Sequence, residues 1–129
     1  MSFINQSYFW VGLGGALGAI ARVGLSGLLP SFAAQIPFTI LCVNAVGCFL
    51  AGVSVELMAF YWNASLNIRH FLIQGVLGGF TTFSAFAIEF GDLYGRGSHY
   101  LAILYATLTV VLSLGAFFCG LRLTRLFVL

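Results

Sequence analysis

An all-α integral membrane protein with four transmembrane helices and a break in the third is predicted by three features of the 129-residue sequence. Charge comes first: five arginines and three acidic residues make up 6% of the chain, where soluble domains carry about 25%. The second is apolar content, which reaches 61%. So little charge cannot cover a globule with a wettable surface, so the apolar surface must face lipid. The third is the grouping of apolar residues into four windows, each close to the ~20 residues that cross a hydrocarbon core. The length suits a single domain, residues 1–129.

The first window, Phe9–Leu29, has one charge, Arg22. The second, Phe38–Val55, has none and extends toward Tyr61 past Glu56. The third and fourth, Phe71–Ile88 and Leu101–Leu121, are also free of charge. Backbone groups in lipid need partners within the segment, so helices are expected at about 8–29, 38–61, 68–93 and 99–127. Pro30 and Pro37 bracket the first loop, Asn63, Ser65 and Asn67 mark the second, and Asp92, Gly95, Arg96 and Gly97 mark the third. Trp10, Tyr61, Trp62, Tyr94 and Tyr100 stand near window ends, as an interfacial aromatic belt requires. Ala19-Ile20-Ala21 has the look of a signal-peptide cleavage site. Met1–Ser7 holds no Lys or Arg, however, and the apolar stretch is rich in glycine, so it reads as a retained helix.

Four helices place both termini on one side of the membrane, with Arg69, Arg122 and Arg125 there and Arg22 and Arg96 opposite. The positive-inside rule has almost no asymmetry to act on, so either the chain inserts both ways round or a partner or weak cues set its orientation. No basic run or charged tail suggests nucleic acid. Cys42, Cys48 and Cys119 match no zinc or redox spacing and read as small buried hydrophobes.

Inside a membrane the polar residues carry the information. Asn44, midway along the second window, must pair with another helix or line a wet cavity. Gly78-Gly79 followed by Thr81-Thr82 makes a weak helix in mid-span. A break there would free backbone carbonyls, good ligands for a hard cation such as Na⁺; the alternative is close packing through Gly75 and Gly79. Phe80, Phe83 and Phe86 recur every three residues, on one face of a continuous helix. They either pack or offer electropositive ring edges to an anion. Tyr105, Thr109 and Ser113 form a hydroxyl stripe at i, i+4 and i+8, free to donate to an ion in transit or bonded back to their own helix. Small residues at 14, 18 and 21 allow a close helix neighbour. Arg22 either snorkels to the interface or sets a positive potential at the mouth of an aqueous path. Glu56 and Glu89 are read as lying near helix ends.

Together these stretches resemble the Fluc (CrcB) family of small fluoride channels over essentially the whole chain. Gly14-Gly15-Ala16-Leu17-Gly18-Ala19-Ile20-Ala21-Arg22 is similar to its GGxxGAxxR signature, and Asn44-Ala45-Val46-Gly47-Cys48-Phe49-Leu50-Ala51-Gly52 to NxxGCFLxG. Gly78-Gly79-Phe80-Thr81-Thr82-Phe83-Ser84-Ala85-Phe86 is similar to GGxTTFSTF, with Glu89 at the matching offset. The resemblance implies an antiparallel, dual-topology homodimer in the bacterial plasma membrane, with two pores that export fluoride passively. By the same resemblance Asn44 hydrogen-bonds the ion or orients the lining, and Phe83 and Phe86 flank the path. Thr82 couples them, while Tyr105, Thr109 and Ser113 form a polar track. Arg22 stands at a vestibule, and the Gly78 and Thr81 carbonyls hold a structural sodium ion. Ala85 departs from the family's frequent Thr, and Phe117 stands where some relatives continue the track.

Two other classes are weighed against this one. A small proton-coupled multidrug exporter needs an acidic residue midway along the first helix, and the first window has none. A non-transporting membrane assembly subunit predicts no ion flux from purified protein. An enzyme is disfavoured, because His70 and His99 lie at helix ends without a paired nucleophile.

Overall fold

A computed structural model describes residues 3–29 and 36–128. Helix α1 runs Phe3–Leu28 and α2 Phe38–Phe60. The third span, Leu66–Gly95, is assembled from pieces: α3 (Leu66–Arg69), a π-helical stretch π1 (His70–Leu77), one turn α4 (Gly78–Phe80) and, after a break, α5 (Phe83–Gly95). Helix α6 runs His99–Val128. Four segments are long and apolar enough to cross a membrane, and the chain is a multi-pass membrane protein. α1 begins ahead of the window read from sequence, because Phe3–Tyr8 continues the helix. Of the two prolines expected to bracket the first loop, Pro37 sits at the N-cap of α2, and Pro30 lies outside the described residues.

The helices pair odd with odd and even with even. α1 lies along π1 and α4, and α2 lies along α6. Both seams are made by glycine. A Cβ at Gly14 would stand 2.3 Å from the Phe71 carbonyl oxygen, and one at Gly18 would stand 2.1 Å from that of Val76. Gly75 and Gly79 answer from the other side, against the Gly14 and Gly15 backbones. The GxxxG pair therefore packs, and the break follows directly after it, so close packing and an interrupted helix coexist in that stretch. Ala21, expected on the same close face, is exposed. In π1 the N–H of Gly78 reaches back to Ile73. Such turns are wider than α turns, and the bare glycine face of α1 provides the room.

On the even seam, Gly52 meets the Phe117 carbonyl and Gly120 meets that of Phe49. The end of this seam that lies toward the C-terminus of the chain is tied by charge: Arg125 Nε donates to Glu56 Oε1 at 2.7 Å, with Glu56 3% exposed. Arg69 turns across the C-terminal end of α2, donating to the Ala64 and Met58 carbonyls at 3.4 Å each. A buried cluster of Ile40, Leu41, Phe86, Leu93, Ala102 and Tyr105 joins α2, α5 and α6. The cysteines depart from the sequence reading. Cys42 and Cys48 are half-buried, and Cys119 is exposed, since an outward helix face in lipid does not exclude a thiol.

Candidate functional site

Everything at the site depends on the break. Thr81 and Thr82 adopt extended backbone (φ −77°, ψ 155° and φ −153°, ψ 124°) between α4 and α5. Asn44, 9% exposed on α2, holds that backbone with both faces of its amide. Its Nδ2 donates to the Thr82 carbonyl at 2.9 Å, and its Oδ1 accepts from the Thr82 N–H at 2.8 Å. The Thr82 hydroxyl then caps α5 by accepting from the Ala85 N–H at 3.2 Å, and it also contacts Ser84 Oγ at 3.2 Å. Both alternatives left open for Asn44 are met at once: it pairs with another segment, and it lines a cavity.

These bonds release particular carbonyls. In an unbroken α-helix the Thr82 N–H would bond the Gly78 carbonyl and the Ala85 N–H would bond that of Thr81. Asn44 takes the first donor and the Thr82 side chain takes the second. Gly78 and Thr81 are thus among the positions around the break, with Gly79 and Phe80, whose carbonyls lose their helical donors. The Thr81 side chain, by contrast, is satisfied internally, its Oγ1 donating to the Leu77 carbonyl at 2.9 Å.

Beside the break opens a groove of about 460 Å³. Asn44 and Cys48 line it from α2, and Thr109, Val110, Ser113 and Leu114 from α6. Gly78, Thr81, Thr82, Phe83 and Phe86 line it from the third span. No lining residue is charged. Phe83, first residue of α5, is 77% exposed on the groove. Its ring centroid is 5.2 Å from that of buried Phe86, at an interplanar angle of 50°. The three-residue phenylalanine stripe does not survive as a stripe. The break rotates α5 relative to α4, so Phe80 is buried beside Gly47 while Phe83 faces outward.

The hydroxyls of α6 divide into two classes. Thr107 and Thr124 donate to their i−4 carbonyls at 2.9 and 2.8 Å. Thr109 Oγ1 and Ser113 Oγ are buried and have no hydrogen-bond partner, although the Tyr105 hydroxyl and Cys48 thiol lie nearby. An unpaired buried hydroxyl costs about 1–3 kcal/mol, and two such groups stand one helical turn apart on side chains that line the groove.

Tyr105 does not share that wall. It is fully buried behind Phe86, with ring centroids 5.4 Å apart, and its hydroxyl donates to Glu89 Oε2 at 2.5 Å. Of the expected three-residue stripe, Thr109 and Ser113 line the groove, while the Tyr105 hydroxyl lies beside Thr109 and crosses to Glu89 on α5 because the aromatic ring is long enough. Glu89, expected near a helix end, sits midway along α5. Arg22 is half-buried on α1 and is not among the groove-lining residues. Cys48 does line the groove, and sequence reasoning passed it over. The available signal was its i+4 offset from Asn44, which puts both on one helix face.

A groove of neutral donors and one exposed aromatic ring can replace an anion's hydration without the grip of a full charge. The released carbonyls suit a hard cation. A family model described as CrcB-like protein, Camphor Resistance (CrcB), matches residues 9–121. The chain belongs to this family. Its relatives include proteins named Fluoride-specific ion channel FluC. That of Agrobacterium fabrum is 44% identical, covering 89% of this chain and 93% of the relative. That of Rhizobium etli (strain CIAT 652) is 44% identical over 91% and 94%. That of Paracoccus denitrificans is 39% identical over 95% and 97%.

Proposed function

We propose that this chain is a fluoride-specific ion channel that lets fluoride leave a bacterial cytoplasm passively, and that the groove at the break is one wall of its pore. The observation that carries this reading is an uncharged groove shared by Asn44, Phe83, Thr109 and Ser113, the last two with buried hydroxyls that lack a hydrogen-bond partner. Fluoride is small and strongly hydrated, and its entry into lipid is prohibitive without substitute donors. Hydroxyls, the remaining Asn44 N–H and the edges of Phe83 and Phe86 supply these, while the absence of Lys or Arg keeps the ion from stalling. Thr82 carries the coupling, because its backbone is held by Asn44 and its side chain caps the helix that begins with Phe83.

The groove is open on one side, and we assign that side to a second copy inserted in the opposite direction. The near-even arginine distribution supports insertion both ways. Two antiparallel copies would enclose two pores. They would also bring the Gly78 and Thr81 carbonyls of each copy together, and four such oxygens suit a sodium ion, which would bind the two breaks to each other electrostatically. Arg22 is assigned to the vestibule and Tyr105, through Glu89 and Phe86, to supporting the track. The multidrug-exporter reading finds no support, since Glu56 is paired with Arg125 and Glu89 with Tyr105.

The test is fluoride efflux from proteoliposomes of purified protein, with chloride as control. Rapid fluoride loss with chloride retained is the expected result. No flux of either ion points to a non-transporting subunit and overturns the reading.

A further inference from the structure

We propose that Cys48 is a pore-lining residue and a covalent modification site, through which a soft metal ion closes the fluoride path. The proposal rests on the channel reading above, and deepens it by naming a further wall residue.

Cys48 follows Asn44 by four residues on α2, and Ser113 follows Thr109 by four on α6. Each pair occupies one helix face. The two helices run parallel, as the Gly52–Phe117 and Glu56–Arg125 contacts require. Their faces therefore align as a ladder of two rungs, Asn44 with Thr109 and Cys48 with Ser113, and all four side chains line the same groove. A cysteine alone would say little. The adjoining rung supplies an independent sign that this face is built for a ligand: Thr109 lines the groove and is 6% exposed, and its hydroxyl is buried without a hydrogen-bond partner. Ser113 Oγ is likewise buried, with the Cys48 thiol beside it. The remaining cysteines are internal controls. Cys42 packs on the buried cluster, and Cys119 is exposed on α6; neither lines the groove.

A thiol is a weak hydrogen-bond donor, so Cys48 gives the ion a loosely coordinating rung beyond Asn44. It also has high affinity for soft metals. With mercuric ion the S–H bond breaks, an S–Hg bond forms, and the proton passes to water, with no change of oxidation state. The bound metal then fills the space between Cys48 and Ser113.

The experiment measures fluoride efflux with and without mercuric ion for the wild type and for Cys48→Ser, Cys42→Ser and Cys119→Ser, each compared with its own untreated rate. Intact-protein and peptide mass spectrometry locate the adducts. Mercuric ion is expected to slow efflux about tenfold or more in the wild type, C42S and C119S, and by less than about twofold in C48S. Fluoride efflux undiminished by a mercury adduct on Cys48 overturns the proposal. So does a block that persists in C48S, or labelling of Cys119 that leaves Cys48 unlabelled. Absence of fluoride efflux before mercury is added is a failure of the channel reading instead, and the adduct map still reports whether the groove face reaches water.

Discussion

The seam between α1 and π1 and the groove between α2, α5 and α6 are both built from small or weakly polar residues, yet one closes completely and the other stays open. In the seam, glycine meets glycine and backbone touches backbone, so that a Cβ at Gly18 would stand 2.1 Å from a carbonyl oxygen. In the groove, the same third span is interrupted, and its backbone is held off by the Asn44 amide. Small residues permit close approach, while a side chain that competes for backbone hydrogen bonds sets how far that approach proceeds. The π-helical stretch and the break are two responses of one strand of sequence to these two neighbours.

The comparison is broken most severely by filling the seam. Gly18→Leu is expected to cost about 3 kcal/mol or more, since the obstacle is backbone rather than a movable side chain. Loss of a monodisperse peak on extraction is the readout. Gly12→Leu, whose added Cβ meets nothing within 4 Å, is expected to leave that peak unchanged. Next comes the hold on the break. Asn44→Leu leaves the Thr82 N–H and carbonyl without their partners, at about 1–3 kcal/mol for each buried group. Thermal unfolding should shift down, and fluoride efflux should fall with it.

Smaller effects on stability sharpen the groove side. Phe83→Ile removes a ring that is already 77% exposed, so the fold should persist in detergent while fluoride efflux drops about tenfold. Efflux equal to wild type would argue against an edge-on aromatic role. Phe86→Ile is expected to act in the same direction on flux, with an added loss of about 1 kcal/mol for the buried site. The subtlest contrast lies within α6. Thr109→Val deletes a hydroxyl with no partner, and should leave stability unchanged or raise it by up to about 1 kcal/mol while slowing efflux. Thr107→Val deletes a hydroxyl bonded to its own helix on the exposed side, and should alter stability by only about 0.5 kcal/mol and leave flux alone. If the two valine variants behave alike, the unpartnered hydroxyl has no special role.

Much of the site was legible because a membrane makes polar residues conspicuous. Asn44, the Gly78–Thr82 break, Phe83, Thr109 and Ser113 stand out against an apolar background, and the structure brings them to one groove. Tyr105, placed by spacing on the stripe with Thr109, lies beside Thr109 but behind the groove lining. Helical periodicity reports the direction of a Cα–Cβ bond, whereas a tyrosine hydroxyl ends far from that bond and found Glu89 on the next helix. Cys48 shares its helix face with Asn44 but was passed over, because a thiol in an apolar run looks the same whether it packs or lines a cavity.

By itself the sequence determined that the chain crosses a membrane four times, that its few arginines divide almost evenly between the two ends of the spans, and that the third span is weak at its centre. Those properties follow from composition and local order, since transfer into lipid acts on each segment in turn. Tertiary structure alone decided which carbonyls the break releases, which hydroxyls stay unpaired and which aromatic ring faces outward. The hold on the Thr82 backbone and the fate of the Tyr105 hydroxyl depend on partners 16 or more residues away along the chain, Asn44 with Thr82 and Tyr105 with Glu89, and no local pattern records where such a partner will lie.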